Sequence, residues 1–153
     1  MYEHSPWVAE QSFTALPERS GAEEFAAVFA ACVDRADTET RLALIRAHPD
    51  LAGRAAIRGE LTEDSTGEQA SAGIDQCTPE EFRRFQDFND RYRKKFGFPF
   101  VMAVRNSNRH EILAAFERRL RNDREQEFAQ AIVEIHRIAR MRLESLFRES
   151  NAA

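Results

Sequence analysis

Four histidines, two cysteines and a scatter of arginines and carboxylates are the groups in this 153-residue chain that could carry chemistry. None of His4, His48, His110 and His136 has a second ligand at i+4, and His110-Glu111 lacks the second histidine of a zinc-protease helix. The spacing therefore argues against a metal site. There is no glycine-rich phosphate loop and no nucleophile elbow, and no histidine obviously serves Cys32 or Cys77. Acid–base and electrostatic chemistry is what remains.

His48 is the first candidate for it. Pro49 disfavours helical geometry at the residue before it, so the imidazole should sit at or just past a helix end, held but not entombed. Histidine is also the side chain whose ordinary pKa lies nearest neutrality, which suits a proton carrier. A lone histidine is more often a surface or satisfied core group, and that alternative stands beside the catalytic one. Ser65 and Glu68 lie three apart and share a face if helical. They are either a cap with its reciprocal acid, or groups that orient His48 and bind substrate N–H. Arg142 is the third candidate. At about 100° per residue it falls about 40° from Phe128, on the apolar face of the last helix, whereas Arg140 falls about 120° away. A cation on a core-facing stripe needs an anionic partner. That partner is either a protein carboxylate or a substrate carboxylate.

The elements that must hold these groups read as helices. Ser5 and Pro6 open the first, with Trp7, Val8 and Phe13 facing inward, and Leu16-Pro17 breaks it. Ser20 with Glu23 reads as a capping box for a helix whose stripe is Phe25, Val28, Phe29, Cys32 and Val33. Thr38 caps a third helix that carries Leu42, Leu44 and Ile45 toward His48. Residues 50–61 suggest a short helix punctuated by Gly53 and Gly59. Thr62 or Ser65 caps the next, which Gly73 stops. Thr78-Pro79-Glu80-Glu81 starts a helix through Phe82, Phe85, Phe88, Tyr92 and Phe96 that ends at Gly97. The apolar run of residues 98–104 could be a strand, but the chain offers it no partner strand. It is therefore read as an extended buried segment or the start of another helix. Asn106 or Ser107 opens a helix bearing Ile112, Leu113, Phe116 and Leu120. Residues 122–125 launch the long last helix, with Phe128, Ala131, Ile132, Ile135, Ala139, Leu143 and Leu146 as core. The expectation is an all-α, single-domain bundle of about seven or eight helices spanning residues 1–153.

Bulk properties narrow the class further. A net charge of −4 leaves no basic footprint for nucleic acid. Arginine outnumbers lysine 20 to 2, which supplies many bidentate carboxylate partners. Cys32 and Cys77 show no CxxC pattern and read as reduced thiols. No signal peptide and no membrane-length apolar run is visible, so a cytoplasmic protein is expected.

Five segments together resemble one family. HPDLAG at 48–53, SxxEQxxAG at 65–73, FGFPFVMAVRN at 96–106, EHSPWVAE at 3–10 and RIARMRLESL at 137–146 look like those of the OHCU decarboxylases. These act on 2-oxo-4-hydroxy-4-carboxy-5-ureidoimidazoline (OHCU) in urate breakdown. Each motif alone is weak; five in order over nearly the whole chain are specific. The resemblance implies an all-α homodimer that uses no metal or organic cofactor and releases CO2 to give (S)-allantoin. It puts the catalytic histidine, glutamate and arginine at His48, Glu68 and Arg142. Pro49, Ser65, Gln69 and the backbone of Phe100, Val101, Met102, Ala103 and Val104 fall on substrate-contacting positions. Family members usually carry a helix ahead of the EHSPWVAE segment, whereas this sequence begins almost directly on it. Two rival readings are an enzyme of the same fold acting on a related ureido compound, and a helical interaction module without catalysis.

Overall fold

The last helix, Arg124–Ala152, is the longest element, and three other helices pack against it. The computed structural model describes residues 1–15, 21–53 and 59–152. Among them are seven α-helices: α1 Trp7–Ser12, α2 Ala22–Arg35, α3 Thr38–Arg46, α4 Glu63–Ser71, α5 Pro79–Phe96, α6 Arg109–Arg119 and α7 Arg124–Ala152. Single 3-10 turns at Phe13–Ala15 and Ile74–Gln76 complete the set, and no strand occurs among the described residues. The all-α expectation holds. Helices α2, α3 and α5 lie against α7, α1 lies on α2, and α6 lies on α5.

Local chemistry explains most helix ends. The Thr78 hydroxyl accepts from the Glu81 N–H, Glu81 accepts from the Thr78 N–H, and Pro79 fills the first turn as expected. Gly97, at φ +79°, takes the left-handed cap that stops α5. Thr62 caps α4 by accepting from the Ser65 N–H at 3.3 Å, so Ser65 lies inside the helix and is not its cap. Other caps fall beside the expected residues. Asp37, not Thr38, accepts from the Thr40 N–H, since a carboxylate one residue earlier makes the stronger acceptor. Asn108, not Asn106 or Ser107, caps α6 by accepting from the N–H groups of His110 and Glu111. At α2 the Gly21 N–H donates to Glu24, one residue along from the expected Glu23; Ser20 lies outside the described residues. So do the Leu16-Pro17 break and residues 54–58 of the short helix expected within residues 50–61.

The core is aromatic. Phe85, Tyr92 and Phe96 of α5, Phe98 and Phe100 of the following segment, and Phe116 of α6 are all at most 1% exposed. Phe100 stacks on Phe116 with ring centroids 3.8 Å apart. Each such ring contributes roughly 2–3 kcal/mol by leaving water. Two residues expected inside are outside. Phe13 is 78% exposed because it sits on the 3-10 turn that leaves α1, where the helical register is lost. Leu146 is 51% exposed because α7 outruns the bundle, and nothing after Leu143 on it is buried.

Residues 98–104 form neither strand nor helix. They run, mostly buried, between α5 and α6. Side chains replace the absent partner strand. Arg119 Nη1 donates to the Val101 carbonyl at 2.7 Å, and the Ala103 N–H donates to Glu134 at 2.9 Å. At the entry to the segment, Arg124 Nε donates to the Phe96 carbonyl and Arg46 Nε to the Gly97 carbonyl, each at 3.2 Å. Backbone groups in a buried stretch must find partners, and here the helices supply them.

Candidate active site

His48 follows the end of α3, where its backbone N–H still reaches the Ile45 carbonyl. The residue is 6% exposed, and Nδ1 lies 2.9 Å from the Leu44 carbonyl oxygen. A carbonyl only accepts, so Nδ1 carries the proton in the neutral ring. Nε2 is left with its lone pair. Burial lowers the pKa to about 4, against a partial upward pull from the Leu44 hydrogen bond and the nearby Glu3 charge. The histidine is thus a neutral base at ordinary pH.

The loop after it is strapped from two sides. Asn89 donates to the Leu51 carbonyl, Gln86 to the Ala52 carbonyl, and Arg93 pairs with Asp50. Gln69 of α4 accepts from the Ala52 N–H and donates to the Asp50 carbonyl. The straps hold Ala52 at φ +51°, a backbone region that a residue with a Cβ rarely adopts.

Helix α4 contributes Ser65 and Glu68, and α7 contributes Arg142, which is 4% exposed. Glu68 does not reach back to a cap; it forms a two-point pair with Arg142, Nε to Oε1 at 2.8 Å and Nη2 to Oε2 at 2.9 Å. Arg142 has a second carboxylate as well, Glu3, with Nη1 to Oε2 at 2.8 Å. The same guanidinium donates to the Met1 carbonyl at 3.0 Å and to Ser65 Oγ at 3.3 Å. These are five bonds from five N–H groups. Burial alone would lower the Arg142 pKa, but the hydrogen bonds and charges of Glu68 and Glu3 outweigh it and raise it further.

Glu3 is the residue that sequence reasoning missed. It is 3% exposed and accepts from Thr62 Oγ1 at 2.7 Å and Ser65 Oγ at 3.1 Å, besides Arg142. Burial would raise its carboxyl pKa, but the bonds from Arg142 and Thr62 hold it below the ordinary carboxylate value. Its only signal in the sequence was a place inside EHSPWVAE.

These groups meet at a narrow cleft of about 30 Å³, walled by His48, Pro49, Ser65, Glu68, Gln69 and Arg142 and by the Phe100, Val101, Met102 and Val104 side. Leu51 and Ile138 also line it, neither of them singled out from sequence. Every residue expected at the site faces this cleft except Ala103, whose N–H is tied to Glu134 behind the wall. Two halves nearly a hundred residues apart in the chain are thereby joined. One wall is apolar; the other carries acceptor oxygens and a buried cation. The remaining histidines are elsewhere: His4 and His110 are exposed, and His136 bonds Tyr2 and Asp34. Among the described residues, no group of three or more metal-binding side chains occurs, and no helix is long and apolar enough to cross a membrane. Both cysteines are free thiols.

The sequence model of the family described as OHCU decarboxylase matches residues 1–144. The chain is 44% identical over 147 residues to a 2-oxo-4-hydroxy-4-carboxy-5-ureidoimidazoline decarboxylase of Haloferax volcanii, spanning 96% of this chain and 84% of that one. It is 38% identical over 149 residues to a uric acid degradation bifunctional protein of Bacillus subtilis, covering 97% of this chain and 29% of that one. A solved OHCU decarboxylase, crystallised in the presence of (S)-allantoin, has the same fold. Its TM-score is 0.76 at 21% identity, over 95% of this chain and 93% of that one.

Proposed function

Because the chain belongs to the OHCU decarboxylase family, we propose that the cleft is its active site and that His48 is the proton-transferring base within it. The enzyme is a carboxy-lyase of urate breakdown that converts 2-oxo-4-hydroxy-4-carboxy-5-ureidoimidazoline to (S)-allantoin and CO2.

The reaction breaks the bond between ring C4 and its carboxylate. The electron pair released moves toward the adjoining C5=N bond, forming C4=C5 while the ring nitrogen takes up one proton from solvent, the net proton that decarboxylation consumes. The C4 hydroxyl then gives up its proton as C4=O forms, and C5 is protonated on one face. The ring itself is the electron sink. The protein's task is to bind, orient and move protons.

One observation carries the assignment: His48 lines the cleft with Nδ1–H committed to Leu44 and a free lone pair on Nε2. In this reading Nε2 accepts the C4 hydroxyl proton, and the resulting imidazolium returns it to C5. Protonation of a ring whose pKa lies near 4 is uphill, so the proton is surrendered readily. Glu68 and Ser65 accept N–H bonds from the ring and ureido arm. The segment from Phe100 to Val104 closes over the opposite side. Arg142 works mainly through Glu68, since a substrate oxygen reaching it would have to displace Ser65 or the Met1 carbonyl. The substrate carboxylate then lies beside Glu68, and among the described residues that line the cleft no cation is free to hold it, an environment that favours its departure as neutral CO2. A cytoplasmic homodimer is the proposed setting, to be checked by sedimentation of the purified protein and by cell fractionation.

The test uses freshly generated OHCU, with CO2 release and the handedness of the allantoin as readouts. The parent protein should give (S)-allantoin. His48→Ala should lose about 100-fold or more in kcat/KM while its circular dichroism is retained. Near-parental turnover by that variant would remove His48 from the mechanism.

A further inference from the structure

We propose that Glu3 is a positioning residue that fixes which way the hydrogen bonds of the cleft's polar wall run. The proposal rests on the reading of the cleft given above. Glu3 does not line the cleft; it lies behind Ser65 and Arg142. Its carboxylate offers lone pairs and no proton, so each of its three partners must donate to it. The Ser65 hydroxyl hydrogen is thereby committed to Glu3 at 3.1 Å. Ser65 can then offer the cleft only a lone pair.

The same logic runs through Arg142. Glu3 accepts from the Nη1 corner of the guanidinium at 2.8 Å and leaves the Nε–Nη2 edge to grip Glu68 at two points. Both oxygens of Glu68 are therefore kept as acceptors at a set angle. The wall built from Ser65 and Glu68 becomes a surface of acceptors matched to a ligand rich in N–H donors. A ureido arm and an imidazoline ring supply such donors. Thr62 serves two ends at once: it caps α4 through the Ser65 N–H and pins Glu3 at 2.7 Å. The serine and the carboxylate that orients it are thus locked to one helix start.

Glu3→Gln keeps the shape and removes the rule. Its amide nitrogen would face either the Arg142 donors or the Ser65 hydroxyl. In the first case the guanidinium loses its place; in the second the serine is free to turn its hydrogen toward the cleft. An acceptor site with a misplaced donor rejects its ligand strongly. Glu3→Asp keeps an all-acceptor group and its charge on a shorter arm.

The experiment measures KM and kcat for OHCU on the full chain, expressed per folded molecule from circular dichroism. Glu3→Gln should raise KM about tenfold or more and lower kcat/KM further than Glu3→Asp does. A role limited to stability would instead lower the folded fraction and leave KM and kcat per folded molecule at parental values, which would overturn the proposal. If Glu3→Gln does not fold, Glu3→Asp decides: KM per folded molecule should rise at least threefold, and an unchanged KM overturns it. A second readout needs no turnover. The Arg142 Nε–H signal of 15N-labelled protein, assigned through Arg142→Lys, should exchange slowly in the parent and speed up at least tenfold in either Glu3 variant. Unchanged exchange overturns the coupling. A parent protein inactive on OHCU but with a protected Arg142 signal would fault the substrate reading and leave the polarity of the wall intact.

Discussion

His48 shows how a single hydrogen bond sets the tautomer of a ring. The residue type and the following proline suggested a proton carrier, but sequence alone left acid and base equally open. The Leu44 carbonyl decides the tautomer, and burial decides the charge. A pH prediction follows for the free enzyme. With a folded pKa of about 4, His48 stays neutral through the physiological range, so kcat/KM should be level from about pH 8 down to about 5.5 and fall only below that. An acid limb centred between pH 6 and 7 would mean that the ring is far more solvated than the fold implies. Arg142 was legible for a different reason: a cation on an apolar stripe demands a partner, and the helical wheel placed it there. Its partners were not legible. Glu68 is 74 residues away and Glu3 is 139, and no local pattern links them.

At the scale of elements, periodicity delivered the helices and missed some of their exact starts. Asp37 and Asn108 each had another capping residue close by, and the choice between neighbours depends on where the preceding chain enters. The segment from Phe98 to Val104 reads as an anomaly in the sequence, since a strand without a partner fails the backbone accounting. What sequence could not show was the remedy, because Arg119 and Glu134 look like ordinary surface charges on amphipathic helices. Arg119 is 6% exposed and paired with the wholly buried Glu127, while its guanidinium lies 4.3 Å from the Phe100 ring centroid. Tyr92 and Asn122 also donate to Glu127. Removing the cation strands that carboxylate. Arg119→Met should therefore cost about 3–5 kcal/mol in urea unfolding, and adding Glu127→Leu should recover part of it. A single variant as stable as the parent would mean that the network does not hold the segment.

For the whole molecule, the same buried groups make folding depend on pH. In the unfolded chain His48 titrates near 6.5; in the fold it titrates near 4. The unfolded state therefore gains a proton first as pH falls, and stability is lost across that window. The contribution is about 3 kcal/mol, fully present above about pH 6.5 and gone below about pH 4. Glu3, held below its ordinary value, adds a loss of the same sign at the lower end of that range. Chemical denaturation at pH 7 and pH 4.5 should show the drop. His48→Gln should flatten the part between pH 6.5 and 5, where carboxylates contribute least.

The bond between Glu3 and Arg142 spans 139 positions. During synthesis, the first of these residues leaves the ribosome long before the second is made. Until then Glu3 is a carboxylate without its cation, and Ser65 and Glu68 have no guanidinium to align them. No stretch of the growing chain that lacks α7 can assemble the polar wall. With this cleft as the active site, activity should switch on only once synthesis has passed Arg142 and that helix has docked, which would make its onset a clock for late folding.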